Sequence, residues 1–145
     1  MKTLFTALLL CILSISPSYG EQAEAQGGQF KNLGHWQVHY IAFPSTSVPA
    51  EVARNYDLER AGDRALINIS VLQNDQAQAV DIQGSAKNLI GQTEQLTFKE
   101  IKEGESIYYI AQMRFDNEEV YRFEITLTQG NTVEVLRFHQ KLYEH

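Results

Sequence analysis

The second half of this chain alternates apolar and polar residues with a period of two, and clear turn signals interrupt the alternation. It runs through residues 106–115, 120–128 and 132–143, with Asp116-Asn117-Glu118 and Gln129-Gly130-Asn131 between them. A period of two places successive side chains on opposite faces of a strand, and short turns rich in Gly, Asn and Asp join antiparallel neighbours. This half therefore predicts antiparallel β structure.

The first half extends the same pattern. Four more strands are predicted, over residues 30–43, 64–72, 79–89 and 95–101. In the first of them Trp36, Val38, Tyr40 and Ala42 share one face, and a break is expected at Gly34. About seven strands with a turn signal between each pair are typical of an all-β fold, an antiparallel, immunoglobulin-like β-sandwich. A small barrel is the main alternative.

Three local features refine this prediction. The connection after the first strand contains Pro49 and Glu51, which favour a short helix over residues 49–56. Gly84, inside a strand, indicates a bulge or a close backbone approach. In residues 132–143 the apolar positions change phase between Val135 and Leu136, so one shift of register is expected.

The N-terminus predicts export. Residues 1–20 combine Lys2 with an apolar run and with small residues, Ser18 and Gly20, at the two positions that a signal peptidase recognises. This is the pattern of a signal peptide cleaved after Gly20. Residues 21–29 are expected to form a flexible lead-in, and residues 30–145 a single β-sandwich domain. The one cysteine, Cys11, lies inside the leader, so the mature domain is held by its core without a disulfide.

Charge narrows the classes of partner. The chain has a formal charge of −6, and loss of Lys2 with the leader makes this −7 for the 125 residues left of 145. An acidic protein without an evident basic patch is a poor candidate for nucleic acid or an anionic membrane. No nucleic acid and no membrane insertion after signal cleavage are expected, and the sequence leaves the oligomeric state open.

The N-terminal half carries a resemblance to a known family. The residues that carry it are Trp36-Gln37-Val38-His39-Tyr40, Ser45-Thr46, Pro49-Ala50-Glu51-Val52-Ala53, Tyr56, Arg60 and residues 64–71, with Phe138-His139-Gln140-Lys141-Leu142-Tyr143 at the C-terminal end. They resemble an uncharacterised family of exported proteins of Gram-negative bacteria, known as a domain of unknown function. The resemblance implies a periplasmic location and implies no activity.

The connection over residues 44–64 is the candidate binding surface, because function on a rigid sandwich usually lies in such loops. Its candidate residues are Ser45, Thr46, Arg54, Tyr56, Arg60 and Arg64. The alternative interpretation is structural: the three arginines pair with Asp57, Glu59 and Asp63 and hold the connection in place.

Histidines are weak metal candidates. His35 and His39 are four residues apart, which on a strand separates them by about 13 Å, too far for one ion. His139 could approach either of them across strands. Since nothing in the spacing requires a metal, no cofactor and no metal site are predicted, and no nucleophilic motif identifies a catalytic residue.

These observations leave three hypotheses about function. A module that binds an envelope protein, through the connection or an edge strand, is favoured. The second is a small-molecule or metal-dependent enzyme, or a metal-binding protein, that uses the histidines. The third is a structural or chaperone-like envelope factor.

Overall fold

The computed structural model describes residues 29–144, so the predicted leader and most of the predicted lead-in lie outside the described residues. The strands are β1 (Gln29–Leu33), β2 (Trp36–Pro44), β3 (Arg64–Gln73), β4 (Gln76–Ala77), β5 (Asp81–Lys87), β6 (Thr93–Leu96), β7 (Lys99–Glu103), β8 (Ser106–Arg114), β9 (Glu119–Gln129) and β10 (Thr132–Leu142). A 3-10 turn (Ser45–Ser47) and a helix, α1 (Ala50–Asn55), lie between β2 and β3. No helical segment within residues 29–144 has the length and apolar character needed to span a bilayer.

Two antiparallel sheets face each other, which confirms the predicted all-β sandwich. The larger sheet has the order β1-β2-β3-β8-β7, with the short β4 paired to β3, and the smaller has the order β10-β9-β5-β6. The chain passes between the sheets after β4, after β6 and after β8. Neither sheet is closed into a barrel.

The core lies between the sheets and uses the faces that alternation predicts. Trp36, Val38 and Tyr40 on β2 point inward, as do Phe123 and Ile125 on β9. Each of these side chains is at most 8 % exposed. A core of this kind can hold the domain together without a disulfide, because each fully buried large side chain contributes about 1.5–3 kcal/mol from transfer out of water.

Glycine begins three of the hairpin turns. Gly34, Gly104 and Gly130 all have a positive φ, and each is the first of two residues between paired strand ends. This is the position at which a type II′ turn requires glycine. The predicted break at Gly34 is thus the turn between β1 and β2.

The structure corrects the sequence analysis in two strands. Residues 95–101 do not form one strand, because the chain leaves the smaller sheet after Leu96 and enters the larger sheet at Lys99. The expected register shift in residues 132–143 is wrong: β10 pairs with β9 without interruption from Thr132 to Leu142. The change of phase instead reflects apolar residues on the solvent face, where Val133 is 57 % exposed.

Helix α1 is present as predicted but packs differently in detail. Pro49 is the N-cap and not the first helical residue. Ala53 is buried, whereas Val52, which the spacing also places toward the core, is exposed.

Gly84 of β5 lies at a close approach, as its position inside a strand indicated. A Cβ at this position would lie 2.9 Å from Cγ1 of Ile125 and 3.2 Å from Cε2 of Phe98.

Candidate functional site

The connection between β2 and β3 is tied down at its base by one buried hydroxyl. Oγ of Ser45 donates to the carbonyl of Ala61 and accepts from the N–H of Ala61, both at 3.0 Å. Nη2 of Arg60 donates to the carbonyl of Thr46 at 3.1 Å. These bonds join the two ends of the connection, so Ser45, Thr46 and Arg60 have structural roles there.

Its far end is fastened to the larger sheet. The hydroxyl of Tyr56 donates to Oε1 of Glu103 on β7 at 2.6 Å, and this hydrogen bond to a carboxylate raises the pKa of Tyr56. Nζ of Lys99 donates to the carbonyls of Tyr56 and Asp57 at 3.0 and 3.4 Å. The connection therefore covers one end of the outer face of this sheet, where it keeps Leu66 buried.

Two ion pairs complete the attachment. Arg64 pairs with Glu59 at 3.3 Å, within the set of pairs that the structural interpretation predicted. Asp63 pairs with Arg114 of β8 at 3.1 Å. Arg54 is exposed on α1 and contributes to neither pair. None of the six residues singled out from the sequence lines the cleft described below.

The three candidate histidines lie apart from one another. His39 points outward from the larger sheet, where Nε2 lies 3.0 Å from Oε1 of Gln37 and the ring lies 5.4 Å from that of Phe30. His139 points outward from the smaller sheet, on the opposite side of the sandwich, and His35 lies in the β1–β2 turn. Within residues 29–144 no group of three or more His, Cys, Asp or Glu side chains is arranged to hold a metal ion.

A cleft of about 520 Å³ lies on the outer face of the smaller sheet. Strand pairing aligns Lys87 of β5 with Arg122 of β9, and Arg122 with His139 of β10. The next row aligns Ser85, Glu124 and Arg137 in the same order of strands. Because these positions share the outward phase of the pleat, their side chains converge on one surface. We call Lys87, Arg122, Arg137 and His139, together with Lys31, the cationic face.

The cations of this face differ in what they contact. Nε of Arg137 lies 3.2 Å from Oε2 of Glu124. Lys31 reaches across from β1 and donates a hydrogen bond to the carbonyl of Arg137. In the part of the chain that the structure describes, Lys87 and Arg122 have no carboxylate within 4.0 Å. Two exposed cations are therefore free to bind a carboxylate or phosphate, and an arginine can do so with two parallel hydrogen bonds.

The cationic face was not predicted from the sequence. No run of basic residues exists along the chain, so no basic patch was expected. In the folded domain, however, basic residues from distant parts of the chain lie around one cleft. Lys87, Arg122 and Arg137 become neighbours only through the pairing of β5 with β9 and of β9 with β10. One local signal was available: Val133, Val135, Arg137, His139 and Lys141 share the outward phase of β10, and no acidic residue occurs among them.

Comparison with known proteins gives a family and a fold. The profile of the family described as "Domain of unknown function (DUF4426)" matches residues 30–145. A DUF4426 family protein from Pseudomonas aeruginosa has a solved structure that is 27 % identical to this chain, with a TM-score of 0.76, covering 83 % of this chain and 98 % of the other.

More distant solved structures share the fold alone. FetP from a uropathogenic Escherichia coli strain, expressed in the periplasm, is 9 % identical with a TM-score of 0.56, covering 81 % of this chain and 95 % of its own. A copper-bound variant of FetP is 11 % identical with a TM-score of 0.52, covering 81 % and 91 %. No curated protein matches the chain.

Proposed function

The chain belongs to the DUF4426 family, and we propose that it is a periplasmic binding module that recognises an acidic segment of another envelope protein. The contact surface is the cationic face. Binding, not a reaction, is the role that the arrangement serves best, because the face offers exposed cations and hydroxyls without a nucleophile and base in contact.

The observation that carries this proposal is the grouping of cations on a chain of net negative charge. Lys87 and Arg122 are adjacent in one cross-strand row, and Arg137 and Lys31 lie beside them, while the chain as a whole has a formal charge of −6. Elsewhere on the molecule the excess of carboxylates repels an acidic partner. The charge distribution therefore orients such a partner toward this one face during encounter.

Ser85 and Thr93 support the same role. Both line the cleft beside the cations. Their hydroxyls can donate to a carboxylate oxygen that an arginine already holds, which adds specificity to a charge-driven contact. The volume of about 520 Å³ is in the range of ordinary ligand sites.

Cross-linked capture in the periplasm tests the surface. The exported protein would be compared with a Lys87→Ala, Arg122→Ala variant of the cationic face. The matched control is an Arg54→Ala, Arg60→Ala variant, which removes the same number of cations from the connection. The proposal expects one stoichiometric partner with the parent protein and the control, and loss of that partner with the first variant.

The opposite pattern would refute the cationic face. If the Arg54, Arg60 variant loses the partner and the Lys87, Arg122 variant keeps it, the binding surface is the connection that the sequence indicated. The dependence of binding on salt is a second test. A contact made by exposed cations weakens as ionic strength rises from about 50 to 200 mM, because the Debye length shortens.

Location can be measured directly. The periplasmic expression of FetP and the leader-like residues 1–20 support export. Cell fractionation should place the protein in the periplasm, and N-terminal sequencing should begin at Glu21. Retention in the cytoplasm, or a mature protein that still begins at Met1, would contradict this part of the proposal.

A further inference from the structure

The loop between β5 and β6 presents two large aliphatic side chains to solvent. Leu89 is 64 % exposed and Ile90 is 77 % exposed, the two highest values among the large hydrophobic residues of the described part of the chain. Each side chain leaves apolar area in water that burial against a partner would remove, at about 25 cal/mol for each Å². An adjacent exposed pair of this size is a typical feature of an interaction surface.

This exposure is built into the loop. Asn88 is 7 % exposed, and its side chain donates to Oε1 of Gln92 and accepts from the N–H of Gln92, both at 2.8 Å. The N–H of Asn88 donates to the carbonyl of Gln92 at 3.0 Å, and the N–H of Gly91 donates to the carbonyl of Asn88 at 3.1 Å. Four hydrogen bonds thus fix the loop with its aliphatic tip outward, so little ordering entropy is lost on binding.

The tip adjoins the cationic face. Lys87 and Thr93 are the paired strand residues from which the loop departs, and both line the cleft. Cationic and apolar contacts are therefore continuous on one surface.

We propose that the Leu89–Ile90 tip is the apolar anchor of the same binding site. The partner is then an extended protein segment in which a short acidic run adjoins apolar residues. The row Thr93–Lys87–Arg122–His139 crosses four strands, a span of about 14 Å at roughly 4.8 Å per strand. About four extended residues cover that span, and the apolar residues of the segment lie at its Lys87–Thr93 end, where the loop departs. This inference rests on the proposed function and specifies its partner.

Charge near the tip favours a protein segment over an anionic lipid surface. Asp116, in the β8–β9 turn, lines a cleft together with Asn88 and Gln92 of the loop. Glu118 follows in that turn, and Glu119 begins β9. A planar anionic surface that met the tip would also meet these carboxylates, whereas a narrow segment that follows the cationic row avoids them.

A random peptide library displayed on phage tests the inference with the full exported protein as bait. Three variants accompany the parent protein: Leu89→Ser with Ile90→Ser, Lys87→Ala with Arg122→Ala, and Val52→Ser as a control for another exposed aliphatic residue. Melting temperature confirms that each variant is folded, which is expected because all five side chains are exposed.

The parent protein and the Val52 control should enrich peptides in which Asp or Glu adjoins Leu, Ile or Phe in one consistent order. The Leu89, Ile90 variant should enrich acidic peptides without the apolar preference, and its affinity for a selected peptide should fall about tenfold or more. The Lys87, Arg122 variant should lose the acidic preference.

Three results would overturn the inference, and the first two separate it from the proposed function. If the Leu89, Ile90 variant selects the same acidic and apolar peptides as the parent, the tip is not the anchor, although the cationic face stands. If the parent shows no acidic preference, the proposed function fails as well. Binding of phosphatidylglycerol vesicles by the parent, lost in the Leu89, Ile90 variant and without any peptide preference, would assign the surface to lipid instead.

Discussion

Gly84 lies where β5 packs closely against β9 and Phe98, and Gly84→Ala is expected to destabilise the domain. The added Cβ would lie 2.9 Å from Cγ1 of Ile125, 3.2 Å from the carbonyl oxygen of Glu124 and 3.2 Å from Cε2 of Phe98. Of these three atoms, the carbonyl oxygen belongs to the paired backbone of β9 and cannot move without loss of sheet geometry. The variant must therefore shift a core side chain or bend a strand.

The expected magnitude follows from two opposed effects. Inserting one carbon into a packed core costs about 1–3 kcal/mol. Alanine also restricts the unfolded chain more than glycine does, which returns about 0.4–1 kcal/mol. We expect the free energy of unfolding to fall by about 1–2 kcal/mol, and the melting temperature by about 4–8 °C for a domain of this size.

Urea and thermal unfolding, followed by circular dichroism, measure this effect. Gly104→Ala is the matched control, because φ is +58° at Gly104 and no atom lies within 4 Å of an added Cβ. Its cost, about 1 kcal/mol, is backbone strain alone. Phe98→Leu should relieve the Gly84→Ala variant in a double-mutant cycle and should leave the Gly104→Ala cost unchanged. A Gly84→Ala protein as stable as the parent would refute the close-packing argument.

The other predictions concern buried hydroxyls. Tyr109→Phe should lower the free energy of unfolding by about 2 kcal/mol in urea, because the N–H of Val80 loses its acceptor at 2.9 Å and the carboxylate of Glu100 loses its donor at 2.9 Å. Burial raises the pKa of Tyr109 above the usual 10.0. The stability that the neutral Tyr109 hydroxyl contributes should therefore persist below about pH 10 and be lost as pH rises through the folded-state pKa. The Tyr109→Phe variant should show a smaller fall in urea midpoint above pH 10 than the parent protein. Burial likewise raises the pKa of Tyr121, so Tyr121→Phe should remove a part of the same alkaline loss. Ser45→Ala leaves the N–H and the carbonyl of Ala61 without their partner and should lower the free energy of unfolding by about 1–2 kcal/mol. The connection between β2 and β3 should then be cleaved faster in limited proteolysis. Equal cleavage rates in the variant and the parent would show that Ser45 does not hold the connection.

The strands could be predicted from sequence because each short turn carries its own signal. Glycine at positions 34, 104 and 130 meets a backbone requirement that other residues meet poorly, and alternation on either side identifies the buried face. The prediction was wrong where one alternating stretch contributes strands to both sheets. The alternation predicts a single strand that includes Leu96 and Ile101, and no residue between them indicates that the chain changes sheet.

The candidate site could not be predicted because it depends on lateral strand order. Lys87 and Arg122 are neighbours only because β5 pairs with β9, a choice set by the global packing of the two sheets. The net charge did not indicate this group of cations, because it is a sum over the whole molecule and contains no information about position. The register shift expected in β10 had the same origin. The apolar alternation was followed from Val133 and Val135 to Leu136, whereas pairing with β9 places the two valines on the solvent side and Leu136 in the core.

The contact between Lys31 and the carbonyl of Arg137 has a consequence for self-association. β1 and β10 are the terminal strands of their sheets, so each presents unpaired backbone groups along one border. Lys31 occupies one of the carbonyls on β10, and its ammonium group places a charge between the two borders. Charged lysines in such positions discourage edge-to-edge pairing between molecules. Proteolytic removal of β1 would expose β10 and β2 together, and the trimmed protein should form oligomers or fibrils at concentrations where the intact domain stays monodisperse.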